Sequence, residues 1–522
     1  MLRRPLFVRM TLRDEVIEGH WGFSPFSSSH QLEFPQLLDI IQAVRRHKRA
    51  RMLILVVQKM TVDWSQIEEI HRELDLLHQA GKQSLVLLEE AGNKSYYLAC
   101  GAQRVFLTPC ANLELVGLRA ELLFFKEALD FLGVEPELYS VGTYKSAGEV
   151  FTRVRMSEAS RRMSDSILED LQSRMCRKVA VSRGVAQEKV QEWIDQGPYT
   201  ARHALEQGLV DGLLYEDELE SMVEKEIPGI RNLPSSRLRI REGFLKRALT
   251  RWRPQIAYLV VEGLITQGKS RRGMGRRPVA GSDTLRSLLK QACQSRRVKA
   301  ILLRVNSPGG SAHASDLIWR AVKVANQQKP VIVSFGSVAA SGGYYIATAS
   351  RRILAMPGTL TGSIGVIGGK FNFQGLLGKL RIAVDSLEKG GRAGYASPTR
   401  PFSEAEARTV KEQLEEFYRI FLEKVAEARQ ATVEEIGKVA EGRVWTGSQA
   451  GSRGLVDEMG GIRAALGVAC REAGLSEGKV RVVQFSKRRH LRDLLGLPFL
   501  PTVEAQIGTR LWAIMPQRWV IR

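Results

Sequence analysis

The stretch VIVSFGSVAASGGYYIATAS, from Val331 to Ser350, runs from an apolar strand pattern through small residues and paired glycines into a helix-like segment, and it sets Ser341 at the turn. A hydroxyl at the start of a helix has backbone N–H groups and the positive end of the helix dipole beside it, which favours an oxyanion developing there. Gly342 and Gly343 have no side chain to hold a substrate backbone away. Upstream, the strand pattern AILLRV ends in NSPGGS, Asn306 to Ser311. Proline followed by two glycines makes a turn whose N–H groups face a carbonyl oxygen, so Gly309, Gly310 and Gly342 are the candidate oxyanion donors. A third small-residue turn, TLTGSIGV from Thr359 to Val366, follows. One such loop is an ordinary strand-to-helix connection. Three in order on one stretch point to nucleophilic attack on a carbonyl.

A serine needs a base. Histidines are few, eight in all, and His313 with Asp316 three residues on offers a Ser-His-Asp arrangement. Against it, His313 lies two positions past the glycine turn, on the helix that leads away from the oxyanion loop. The other option is a lysine whose pKa is lowered by burial, since desolvation disfavours the ammonium form. Lys145, in VGTYKSAGEVFTRVRMSEA, is the candidate, and an internal repeat nominates it.

The repeat concerns the elements that carry these residues. SYYLACGAQRVFLTP, Ser95 to Pro109, matches GYYIATASRRILAMP, Gly343 to Pro357, at an offset of 344 − 96 = 248. TARHALEQGLVD, Thr200 to Asp211, matches TGSQAGSRGLVD, Thr446 to Asp457, at an offset of 246. Agreement in the same order over this span marks two copies of one α/β unit. In that alignment Ser341 meets Asn93 and Lys145 falls near Ala393. One copy keeps the hydroxyl and the other the amine, so a complete site needs both.

Apolar runs such as MLILVV from Met52, SLVLL from Ser84, KAILLRV from Lys299 and VIVSF from Val331 predict buried parallel strands. Val410, Leu414, Phe417, Phe421 and Val425 predict the core face of a helix. The expected organisation is a first unit at 1–225, a basic linker at 226–255, a second unit at 256–485 and a tail at 486–522. A basic loop, GKSRRGMGRRP from Gly268, is expected to be flexible.

Composition sets bounds. Apolar residues make up 44% and charged residues 25%, the balance of a folded globular chain. The 77 basic and 56 acidic residues give a formal charge of +21, which favours an anionic partner. No zinc spacing, RNP-like motif or zipper repeat accompanies that charge, so a membrane surface is preferred to nucleic acid. The five cysteines are scattered without a CxxC pair and read as small core residues. No run reaches the length of about 18 apolar residues that a spanning helix needs, and the basic N-terminus lacks a signal-peptide core. A peripheral membrane protein is expected, with the cytoplasmic face or cytoplasm preferred. The apolar tail LRDLLGLPFLPTVEAQIGTRLWAIMPQRWVIR either attaches there or docks on its own domain.

The combination of NSPGGS, SVAASGGYYIA, TGSIGV and GTYKSAGEVFTR resembles the long two-domain form of bacterial signal peptide peptidase A, or protease IV, over roughly residues 31–457. The resemblance implies an α/β chain of two tandem Clp-protease/crotonase-like (ββα-spiral) domains and a Ser/Lys dyad of Ser341 and Lys145. It also implies that Ser363 of TGSIG hydrogen-bonds the lysine amine and that the NSPGG glycines form the oxyanion loop. It further implies a homotetramer, substrates that are remnant signal peptides and other short apolar peptides, and no cofactor or metal. The long members carry an N-terminal membrane anchor that this sequence does not show. The rival readings are an acyl-CoA enzyme of the crotonase type and a non-catalytic membrane-surface scaffold.

Overall fold

The computed structural model describes residues 4–13, 16–19, 32–60, 62–238, 252–271, 278–486, 510–514 and 520–521. The apolar runs form strands because Val, Ile and Leu fill both faces of a sheet covered by helices. In the first sheet the order is Gly212–Leu213, Arg104–Leu107, Gln83–Leu88, Ala50–Val57, Leu6–Leu12 and Arg231–Asn232, all parallel.

The second sheet repeats that order. Glu458–Met459, Arg352–Ala355, Val331–Ala340, Val298–Ser307, Gln255–Glu262 and Arg481–Gln484 follow one another in parallel pairs. The starts of the three central pairs differ by the sequence offset: 298 − 50, 331 − 83 and 352 − 104 are each 248. Each half also carries a 26-residue helix, Glu158–Arg183 and Glu404–Arg429, capped by Ser157 and Ser403. Val410, Leu414, Phe421 and Val425 of the second helix are buried as its periodicity predicts, with Phe417 half-buried.

The expected linker at 226–255 is corrected on both sides. Arg231–Asn232 pairs with Leu6–Leu12 and so belongs to the first sheet, and Gln255 already opens a strand of the second. A strand of two residues has no hydrophobic period to reveal it. Residues 239–251 and 272–277, where the linker and the basic loop were expected, lie outside the described residues. Of the cysteines, Cys100, Cys176 and Cys470 are buried, whereas Cys110 is exposed in the turn after Pro109.

Two of the contacts between the halves position the site. Glu135–Val141 of the first runs antiparallel to Val366–Asn372 of the second over seven residue pairs. Deeper, one apolar core takes in residues of both sheets, among them Leu53, Val86, Leu302 and Ile332. Within it, the fully buried Arg304 guanidinium donates to Glu18 Oε2 at 2.9 Å and Glu69 Oε1 at 2.8 Å, and also to the Phe335 carbonyl. A buried cation is tolerable only when its donors are matched in this way. Among the described residues no helix is long and apolar enough to cross a membrane.

Candidate active site

Ser341 ends the long central strand of the second half and is the residue before the short helix Gly342–Ala347. Its backbone sits at φ 52°, a conformation that non-glycine residues rarely adopt. It is held there from both sides: Ser341 N–H donates to the Gly362 carbonyl at 2.8 Å, and Tyr345 N–H donates to the Ser341 carbonyl at 2.8 Å. The hydroxyl makes no capping hydrogen bond to the helix that follows. Backbone strain maintained by surrounding structure is typical of residues placed for chemistry.

Lys145 comes from the other half, just beyond the strand Glu135–Val141, and its side chain reaches into the second half. Its Nζ lies 2.8 Å from Ser341 Oγ, 3.0 Å from Ser363 Oγ and 3.1 Å from the Ser363 carbonyl. Lys145 is 3% exposed, and Ser341 and Ser363 are 0% exposed. Desolvation holds the Lys145 amine well below the ordinary lysine value of 10.5, and no carboxylate is among the groups acting on it. The three contacts suit a neutral amine. Two N–H groups are donated to the Ser363 carbonyl and hydroxyl, and the lone pair remains for the Ser341 O–H.

Ser363 is also at positive φ, 51°, and its N–H donates to the Arg443 carbonyl at 2.7 Å. The resemblance named this residue, and the structure brings it to the lysine. The three candidate oxyanion glycines, Gly309, Gly310 and Gly342, are all buried, Gly342 directly follows Ser341, and Gly309 N–H donates to Ser307 Oγ at 3.1 Å. The Ser-His-Asp option is corrected. His313 is exposed on the departing helix, and Asp316 accepts from the Tyr345 hydroxyl and pairs with Lys424. Asn93, at the place of Ser341 in the first half, is a strut whose amide donates to the Gly117 carbonyl at 2.9 Å and accepts from Val116 N–H at 3.1 Å.

Sequence reasoning missed the residues that seat the lysine. Glu441 accepts from Thr143 N–H and Oγ1–H at 2.9 Å each, and its carbonyl accepts from Tyr144 N–H at 2.7 Å. Gly442, at φ 75°, lies so close that an added Cβ would be 2.6 Å from the Lys145 Cβ. The only signal in the sequence was the glycine itself, in an EGR tripeptide without other distinction.

A serine hydroxyl beside a buried amine is an arrangement suited to a hydrolase that works through acyl transfer. The model of Peptidase family S49 matches residues 77–227 and 323–476, and the chain belongs to that family. It is a serine protease. It is 32% identical over 493 residues to the chloroplastic serine protease SPPA of Arabidopsis thaliana, covering 93% of this chain and 72% of the relative. To Protease 4 of Salmonella typhi it is 32% identical over 464 residues, 86% of this chain and 74% of that one. A putative signal peptide peptidase SppA of Enterococcus faecium is 36% identical over 193 residues, 37% of this chain and 56% of the relative. Membership in a peptidase family decides against the acyl-CoA and scaffold readings.

Proposed function

We propose that this protease cleaves peptides with a dyad in which Ser341 is the nucleophile and Lys145 its general base. The observation that carries this reading is the 2.8 Å approach of a buried, carboxylate-free amine to the serine hydroxyl. Neutral Lys145 takes the Ser341 proton as Oγ attacks the scissile carbonyl. The negative oxygen is met by N–H groups of Gly310 and Gly342, with Gly309 released from Ser307 to join them. Each such donor is typically worth about 3 kcal/mol of barrier. The resulting ammonium is held by Ser363, then gives its proton to the leaving amine, and water returns by the reverse path to free the serine.

The substrates in this reading are short apolar peptides, remnant signal peptides among them. The name of the Enterococcus relative supports that class. A charge of +21 supports work at an anionic membrane surface, and a homotetramer remains part of the proposal. The test is hydrolysis of an apolar peptide ester. Ser341→Ala and Lys145→Ala should each lower the rate by at least about 10³-fold. A Lys145→Ala enzyme at wild-type rate would remove the dyad.

A further inference from the structure

The candidate oxyanion glycines lie on two turns, and each turn opens a helix. Gly309–Ser311 leads into the helix Ala312–Gln328, and Ser341 leads into Gly342–Ala347. The two helices meet at Tyr345, which is fully buried. Its hydroxyl donates to Asp316 Oδ1, on the first helix, at 2.7 Å. Lys424, from the long helix Glu404–Arg429, donates to the same carboxylate oxygen and, at 2.7 Å, to the Tyr345 hydroxyl oxygen. Carboxylate, phenol and ammonium thus close a ring. Burial, and then the Asp316 carboxylate, push the Tyr345 hydroxyl well above its ordinary value of 10.0, so it stays a donor.

Around the ring the packing is aromatic. Tyr345 stacks on Phe417 with ring centroids 5.6 Å apart and meets Phe421 edge-on at 4.8 Å, both on the helix that supplies Lys424. Lys424 Nζ lies 3.6 Å from the centroid of Trp319. Trp319 Nε1 donates to Thr348 Oγ1 at 3.0 Å, and that hydroxyl donates to the Tyr345 carbonyl at 2.8 Å. Packing of this kind already seats a helix. The first copy of the unit shows what the fold alone requires. Its counterparts of Asp316, Trp319 and Tyr345 are Glu68, His71 and Tyr97, since 316 − 68, 319 − 71 and 345 − 97 are each 248. The long helices start 404 − 158 = 246 apart, which sets Lys178 opposite Lys424. His71 packs edge-on against Tyr97 at 4.9 Å, as Trp319 does against Tyr345 at 6.5 Å. The charged groups, however, go elsewhere: Glu68 accepts from Gly358 N–H at 2.7 Å, and Lys178 lies 3.9 Å from Asp75. Among the described residues the closed ring occurs in the copy that holds Ser341 and not in the copy that holds Asn93.

We infer that Asp316, Tyr345 and Lys424 are positioning residues for acylation: they lock the helix behind Gly309 and Gly310 to the helix behind Ser341 and Gly342. The lock fixes how far the attacking oxygen stands from the donors on the two turns. The inference rests on Ser341 being the nucleophile and deepens that reading by naming what sets its geometry. From the ring to the serine the path is short, because Tyr345 N–H donates to the Ser341 carbonyl at 2.8 Å and so helps to hold the φ of 52°. On the other side, Asp316 follows within about a turn of Ser311, whose Oγ caps its helix by accepting from Ala314 N–H at 3.3 Å. Slack in the ring changes the spacing of the reacting groups and leaves peptide binding alone, so it should appear in kcat and not in KM.

The test uses the full chain and Tyr345→Phe, which keeps the ring and its stacking and removes only the hydroxyl. With an apolar peptide ester, kcat should fall about ten-fold while KM stays within about two-fold. The rate of Ser341 labelling by a fluorophosphonate should fall by the same factor. Lys424→Met should lose as much, and Lys424→Arg, which keeps the charge over Trp319, should recover most of it. Lys178→Met, the matching change in the first copy, should keep the wild-type kcat. A role in stability alone predicts a lower unfolding midpoint with kcat of the folded enzyme unchanged in Tyr345→Phe and Lys424→Met. That result, or an equal fall in Lys178→Met, would overturn the inference while Ser341 is still labelled. A wild type that is not labelled at Ser341 would refute the nucleophile assignment and the inference with it.

Discussion

In the proposed dyad of Ser341 and Lys145 the chemistry turns on one proton. Lys145 is buried with only serine groups around its amine, so its ammonium form is penalised and its pKa is depressed. The sign follows. As pH rises through the lowered value the fraction of neutral amine grows and the rate of acylation should climb, reaching its plateau well before 10.5, where an exposed lysine would titrate. Between the lowered value and 10.5 the unfolded chain binds a proton that the folded one does not, so the same burial costs stability that is regained as pH increases. Ser341 was legible in the sequence because a nucleophile at a strand-to-helix turn demands small neighbours. Lys145 was legible only by comparing the two halves, since a lysine beside a tyrosine has no local mark of burial.

Among the elements, the lysine is positioned by a turn that belongs to the serine's half. Glu441 fixes Thr143 and Tyr144, and Gly442 leaves no room between its backbone and Lys145. Gly442→Ala adds a Cβ 2.6 Å from that of Lys145 at a backbone angle of φ 75°, so the amine must shift. An ångström of displacement is enough to cost about 10²-fold in rate. We expect kcat/KM to fall at least about ten-fold in Gly442→Ala, while Gly437→Ala, whose Cβ would meet nothing within 4 Å, stays at the wild-type value. Peptide-ester kinetics on the two variants checks this. Strands were readable wherever apolar residues run continuously, as at Ala50–Val57 and Val298–Ser307. Arg231–Asn232 and Arg510–Ile514 were not, because their partners lie hundreds of residues away and pairing through the backbone leaves little trace in side chains.

On the scale of the whole molecule, the proposed dyad divides the parts of one site between two copies of one unit. The first copy has a structural asparagine, Asn93, where the second has Ser341, and the second has an exposed alanine, Ala393, near the position that aligns with Lys145. Such a site survives only if the halves hold their mutual position. The antiparallel pairing of Glu135–Val141 with Val366–Asn372 does this beside the lysine, and the buried Arg304 does it in the core, where Glu69 also accepts from Ile462 N–H at 2.8 Å. Arg304→Met would strand Glu18 and Glu69 without a counter-charge, for which a loss of about 3–5 kcal/mol is typical. Thermal or denaturant unfolding of the purified variant should show that loss; an unchanged midpoint would mean that the Arg304 cluster does not hold the seam. The division itself was visible in the sequence, since the offset of 248 carries through the central strands. The ion cluster was not, because Arg304 stands inside an apolar strand with partners from two distant segments.

The most direct measurement is the rate of phosphonylation of Ser341 across about pH 6 to 10, in the wild type and in Lys145→Ala. A rate that rises with pH to a plateau in the wild type, and that loses both its magnitude and its pH dependence in Lys145→Ala, is the predicted result. A rate independent of pH, or one that Lys145→Ala leaves intact, would contradict the claim that a neutral lysine from one half activates the serine of the other.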